Sequence, residues 1–396
     1  MTTREEIAVV TSRAKTPTLE ELVERAEEMV PRLRERAAQT EALRHVPDET
    51  IAEFQDAGLL RIFQPVRYGG YELDYGRTQI RLGAVLGRAC GSSAWVQSVV
   101  ACHAWLAGMY PEEAQDAVWA DTPDALVGSA FSAKTGRGRT VDGGNFIEGD
   151  WQFSSGCHAC QWVILGVTMD GRPPGPQDQL WCLVRPGDWE IVDTWRAPGL
   201  KGTGSNDIRV KGAFVPAAFA LERNQLDGRP TPGSAVNASY IYRLPIAGFF
   251  PYNVSMPAIG LARGALEAYC AQTAGRPDRA NSVPRQLRIA ETAVQIDAAE
   301  ALVLGDCPEI ERIGHGGEEF PPALRARLSR NTSYMVRQCI DAVQRLAMTL
   351  GAHGMADDHP VHRSYRDVLA IGNHIANQWD MHALPYARAA LGQPPY

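Results

Sequence analysis

No stretch of this chain is apolar for the about 20 consecutive residues that a bilayer span requires. The longest apolar region, from Ile80 to Met109, is interrupted by Gly91-Ser92-Ser93. Clustered charge of one sign is missing too: 39 Lys and Arg stand against 46 Asp and Glu, mixed along the sequence, for a net charge of −7. Without a basic stripe to neutralise phosphates, nucleic acid and anionic membrane are not expected partners. The eight cysteines, at 90, 102, 157, 160, 182, 270, 307 and 339, lie mostly in apolar segments, as reduced core thiols do, and build no disulfide framework. One C-x-x-C, Cys157-His158-Ala159-Cys160, could be redox-active or half a zinc site. No second pair of matching spacing completes four ligands, so two small buried residues are the simpler reading. No G-x-G-x-x-G follows a strand, which removes a Rossmann-type dinucleotide site. The amino-terminal segment is polar and has no apolar h-region, so the expected location is the cytoplasm.

What is present is an ordinary globular composition, 45% hydrophobic and 21% charged. At about 150 residues per domain, 396 residues suggest two or three cooperating units. Leu19, Leu22, Val23, Ala26, Met29, Val30 and Leu33 recur at three and four, the spacing of one helix face. Pro47-Asp48-Glu49-Thr50 starts a second helix that Gly58 ends. The stretch around Gly91-Ser92-Ser93 reads as two buried helices, the second capped by serine. The pattern changes near residue 125. Val141-Asp142-Gly143-Gly144-Asn145-Phe146 is a hairpin signal, and alternation through Ile147, Trp151 and Phe153 continues it. After the loop LDGRPTPGSA helical periodicity returns in four segments, 255–273, 287–304, 324–350 and 365–384. The expected architecture is therefore α+β: an N-terminal helical domain (1–125), a middle β-domain (126–235) and a C-terminal four-helix bundle (236–396).

Within that order stand RIFQPVRYGGYE, DGGNFIEGDWQFSSGCHACQWVILG, GLKGTGSNDIRVKGAFVP and HRSYRDVLAIGNH. Together they resemble the acyl-CoA dehydrogenase superfamily over about Leu19 to Leu384, and more narrowly its flavin-dependent monooxygenase branch, the oxygenase components of two-component aromatic hydroxylases. A thioester dehydrogenase of this superfamily carries a carboxylate base, usually on a late helix or in a Tyr-Glu-Gly-Thr segment near the C-terminus. This chain has Arg366-Asp367 and then His374 instead. If one helix runs through them, Asp367 and His374 project to the same side, two turns apart.

The resemblance implies an enzyme that uses reduced FAD or FMN and O2, by way of a C4a-hydroperoxide, to hydroxylate a small aromatic substrate of phenol or indole type. An N- or S-oxygenase on the same scaffold shares every motif quoted, and an acyl-CoA dehydrogenase is a further alternative. Lacking its own dinucleotide site, the chain would need a separate NAD(P)H:flavin reductase. Relatives suggest a homotetramer.

Residue by residue, the resemblance makes His374 the imidazole that stabilises the hydroperoxide, where a lone histidine would otherwise read as a satisfied core residue. His103 would line the substrate pocket and hold or deprotonate a phenol. In Trp151-Gln152-Phe153-Ser154-Ser155-Gly156 the strand would pass beside the flavin ring, with Ser155, or failing that Ser154, approaching its N5. Ser129 and Ser132 would border the flavin, although Ala133-Lys134-Thr135 replaces a proline-containing string common in the family and leaves the pocket wall open. Thr203, between two glycines that already explain a tight turn, is a candidate phosphate contact. Arg276 either reaches a neighbouring subunit's cofactor or is an exposed loop arginine. Trp95, Trp105, Phe249 and Phe250 are either core or substrate wall. His353, His359 and His362 lie near Asp357 and Asp358 with proline and irregular spacing, a loop rather than a metal site, and no metal is expected.

Overall fold

The computed structural model describes residues 16–173, 175 and 178–395. Five helices open the described chain. The first, α1 (Leu19–Leu43), begins at a capping box in which Thr18 and Glu21 satisfy each other's backbone amides. Its buried face is Leu22, Ala26, Met29, Val30, Leu33 and Ala37, largely the stripe read from the sequence. Next come α2 (Asp48–Asp56), ended before Gly58 at φ 77°, and α3 (Tyr75–Leu86). The fourth, α4 (Gly91–Ala107), has every residue buried, so it runs through the core and not along its surface. Its serines do not cap it: the N-cap is Cys90, and Ser92 Oγ accepts from Gly202 N at 3.1 Å. Last of the five is α5 (Glu112–Trp119).

Nine strands follow: β1 (Val127–Ala130), β2 (Ser132–Ala133), β3 (Arg137–Val141), β4 (Gly144–Ser154), β5 (Trp162–Met169), β6 (Leu180–Val184), β7 (Glu190–Val192), β8 (Asn206–Pro216) and β9 (Ala220–Glu222). They order as β7-β8-β4-β3-β5-β6-β9, with β1 beside β5 and β2 beside β4. Asp142-Gly143 is the two-residue turn of the β3–β4 hairpin, with Gly143 at φ 76°. The β4–β8 ladder shifts register twice, once between Trp151 and Ser154. There Phe153 takes φ 68°, a conformation unusual for a residue with a side chain. That bulge decides which side chains of β4 face the cavity described below.

The carboxyl-terminal third contains α6 (Ile246–Phe249), α7 (Pro251–Ser255), α8 (Pro257–Ala274), α9 (Pro277–Ala280), α10 (Val283–Leu304), α11 (Cys307–Gly316), α12 (Pro322–Ala347), α13 (Pro360–Asn373) and α14 (Trp379–Ala390). Helix α12 packs on α8, α10, α13 and α14, and α8 packs on α3 and α4. A Cβ on Gly87 would stand 2.6 Å from Pro257 O, so glycine is what allows α3 and α8 to approach this closely.

The segment 365–384, expected as one helix, is two. Helix α13 stops at Asn373, His374 takes extended angles (φ −65°, ψ 138°), and a single turn over Ile375–Asn377 precedes α14. The cause is tertiary. Asn377 Nδ2 donates to Ile371 O at 2.9 Å, capping the broken helix, while its Oδ1 accepts from Ser255 Oγ at 2.5 Å and its carbonyl from Ser333 Oγ at 2.9 Å. Asp367 and His374 therefore do not share a face. Asp367 is buried, accepts from Leu200 N at 2.7 Å and lies against Gly91, and burial raises its carboxyl to about 6.

Candidate active site

Where α4, the strand β4, the α6–α7 corner and the break after α13 converge, they enclose a cavity of about 490 Å³. Helix α4 contributes Trp95, Val99 and His103, successive residues of one face at i, i+4 and i+8. Trp95 and His103 are thus about 12 Å apart along the helix axis. They mark two ends of the cavity.

At one end, His103 is 3% exposed. Its Nδ1 lies 2.9 Å from Val127 O, a group that only accepts, so Nδ1 carries the proton. Nε2 is then an acceptor, and Ser129 Oγ at 2.7 Å donates to it. Burial lowers the imidazole to about 4, against a smaller opposing effect of the Val127 carbonyl, so the ring is neutral at pH 7. Ser129 Oγ keeps its lone pairs for an incoming hydroxyl. The result is a base with a hydroxyl relay before it, in a wall of aromatic rings. Phe131 stacks on Trp181 at 4.0 Å and meets Phe250 edge-on at 6.0 Å. Arg223, which also lines the cavity, lies over the Trp181 ring, 5.6 Å from its centroid, and is paired with Asp227 at 2.9 Å.

At the other end stands His374, its ring edge-on to Trp95 at 5.5 Å. Here Nδ1 accepts from Ala376 N at 3.2 Å, which leaves Nε2 to carry the proton, and among the described residues that N–H has no acceptor. Burial, helped by nearby His382, again lowers the ring to about 4. Ser155, half-buried, lines the cavity beside it and accepts from Trp95 Nε1 at 3.0 Å. Phe153 and Ile375 line the same end while 57% and 64% exposed. The carboxamide of Asn253 is buried in the wall, beside the Cys102 thiol. A flat, largely apolar ring with both donors and acceptors on its edge fits this set. No carboxylate is among the described residues that line the cavity.

Other expected site residues lie elsewhere. Trp151 is fully buried, and its Nε1 donates to Gly166 O at 2.8 Å, behind the strand. Ser154 is also fully buried, its hydroxyl on the Gly128 side and unpartnered. After the bulge it is Phe153 and Ser155, with Gln152, that reach the cavity. Ser132 is exposed on β2 and lines it as well. Trp105 sits two residues beyond His103 and so on another side of α4, where it packs on Tyr75 and donates to Ile241 O at 2.6 Å. Phe249 is buried against Phe320 and Tyr252, while its neighbour Phe250 faces the cavity. Thr203 is buried and donates to Leu200 O at 3.0 Å, which leaves no free hydroxyl for a phosphate. Arg276 is exposed at the start of α9 and does not line the cavity. Phe131, Trp181 and Arg223 carried no local signal, since only the sheet brings them together. Cys157 and Cys160 are buried free thiols, Cys157 pushed up to about 12 by burial, which suits packing and not redox work.

Residues 16–120 match the family model of the acyl-CoA dehydrogenase N-terminal domain, and residues 252–379 that of the C-terminal domain. The oxygenase subunit HsaA of a flavin-dependent monooxygenase from Rhodococcus jostii (strain RHA1) is 33% identical over 383 residues, 94% of this chain and 98% of that protein. The oxygenase component of an FADH(2)-dependent resorcinol hydroxylase from Rhizobium sp. (strain MTP-10005) is 31% identical, covering 94% of this chain and 95% of its own. The crystal structure of the HsaA monooxygenase from M. tuberculosis has a TM-score of 0.90 at 32% identity, covering 96% of this chain and 99% of that one.

Proposed function

Since the chain belongs to the acyl-CoA dehydrogenase superfamily, in its flavin-dependent monooxygenase branch, we propose that it is the oxygenase component of a two-component hydroxylase acting on a small phenol-type aromatic. It takes reduced FAD or FMN from a separate NAD(P)H:flavin reductase. The observation that carries this reading is the pair of neutral histidines in one cavity, His103 accepting at Nε2 and His374 donating there.

When bound, reduced flavin would supply the oxygen-activating chemistry. The protein's own residues do the rest. Ser129 accepts a hydrogen bond from the phenol hydroxyl and passes its own proton to His103 Nε2. The phenol O–H bond lengthens, and the ring becomes electron-rich at the carbon to be hydroxylated. The His374 Nε2–H would be the hydrogen-bond donor available to the bound cofactor, and the aromatic rings of the wall would shield that end of the cavity from water. That no carboxylate is among the described residues lining the cavity weighs against thioester dehydrogenation. Exposed apolar side chains on α10, Leu287 and Val294, and on and just after α14, Leu384 and Leu391, support a homotetramer in which exposed Arg276 reaches a neighbouring cofactor. Light scattering of the purified protein checks the assembly.

Rapid mixing of the protein, loaded anaerobically with reduced FAD or FMN, against oxygenated buffer tests the function. A near-ultraviolet-absorbing species that persists, and decays faster with phenols, supports it. Reoxidation at the rate of free flavin overturns it.

A further inference from the structure

Ser155 does not stand alone. Its Oγ is 2.7 Å from Ser205 Oγ, which is 2.7 Å from Thr203 Oγ1, which reaches Leu200 O at 3.0 Å. The loop carrying these groups is held from several sides. Asp367 accepts from Leu200 N, Ser92 from Gly202 N, and Thr203 O accepts from Gly156 N at 2.8 Å, beside Ser155 itself. Leu200 and Gly204 adopt left-handed angles, φ 50° and 56°, to make the turn.

A hydroxyl has one proton and two lone pairs. Trp95 Nε1 only donates, so it occupies one lone pair of Ser155. What Ser155 offers the cavity then depends on Ser205. If Ser155 donates to Ser205, a lone pair faces the cavity and Ser155 is purely an acceptor there. If it accepts from Ser205, both lone pairs are used and it is purely a donor. The chain of hydroxyls ends on a carbonyl, which can only accept. Running Ser155 to Ser205 to Thr203 to Leu200 O, every proton has a partner within the protein. In the opposite direction the Ser155 proton needs an acceptor in the cavity.

We propose that Ser205, backed by Thr203, is a positioning residue that holds Ser155 as a hydrogen-bond acceptor and so makes the site select reduced over oxidised flavin. This rests on the flavin reading above. The reduced ring carries an N–H at N5 and needs an acceptor, whereas the oxidised ring presents a lone pair there and needs a donor. Without Ser205, the Ser155 proton loses its internal partner and turns to the cavity.

The test is binding, not turnover. Dissociation constants for oxidised and anaerobically reduced FAD and FMN are measured by equilibrium dialysis for the unaltered protein, Ser205→Ala, Ser205→Thr and Thr203→Val. The unaltered protein is expected to prefer reduced flavin. Ser205→Ala should lower that preference about tenfold, the worth of one hydrogen bond. Ser205→Thr should restore it, and Thr203→Val should move it the same way by less. If Ser205→Ala does not fold, Thr203→Val carries the test. An unchanged preference in a folded variant, or none in the unaltered protein, overturns the assignment and leaves the oxygenase reading standing. Failure of the unaltered protein to bind either flavin overturns both.

Discussion

The two ends of the cavity use the same side chain for opposite purposes. His103 and His374 are both neutral, and both are lowered to about 4 by burial. They differ in one backbone partner. The Val127 carbonyl takes the Nδ1 proton of His103, and the Ala376 amide supplies a proton to Nδ1 of His374. The other nitrogen is therefore an acceptor at one end, where Ser129 donates to it, and a donor at the other. The lesson is that an imidazole's role is assigned by what holds the nitrogen that does not react.

The comparison is broken most severely at the basic end. His103→Ala should lower kcat/KM for a phenol by about 10²- to 10⁴-fold, the range of a lost general base, with little change in the fraction of oxygen released as hydrogen peroxide. His374→Ala should show the reverse signature: product formation falls about 10²-fold, and most consumed oxygen appears as hydrogen peroxide. Parallel peroxide and product assays separate the two. If both variants lose coupling equally, the ends do not have distinct jobs. Ser129→Ala removes only the relay before the base and should cost about tenfold in kcat/KM, more for a phenol than for an amine analogue of the same shape.

Much of this was legible in the sequence wherever a residue's role followed from local pattern. The helix–sheet–helix order, the Asp142-Gly143 turn and the faces of α1 and α12 follow from periodicity and turn chemistry. His103, Ser155 and His374 do meet at one cavity. What was not legible depended on contacts distant in sequence. The break before His374 is made by Asn377 with Ser255 and Ser333, 122 and 44 residues away. The bulge at Phe153 turns Trp151 and Ser154 away from the cavity, and strict alternation could not announce it. On α4 every side is buried, so periodicity gave no means to separate His103 from Trp105. A kink at Ala247 and Gly248 (φ 100°) likewise sends Phe250 and not Phe249 into the cavity.

The mildest expected effect sharpens the comparison through pH. Because His103 acts as the neutral base, kcat/KM should be flat within about threefold from pH 5.5 to 8 and should fall about tenfold per pH unit only below about 4. An ordinary histidine would begin to lose activity near 6.5. Stability follows the same shifts. Both folded values lie below the unfolded one, so between about 4 and 6.5 the unfolded chain binds more protons, and native stability falls as pH drops through that window. Replacing both rings by groups that do not titrate, His103→Asn with His374→Gln, should remove that part of the acid slope in urea unfolding measured from pH 7 to 4.5. A slope unchanged from the parent, or an activity profile that breaks near 6.5, would mean that the histidines are exposed to water and that neither tautomer is fixed by its backbone partner.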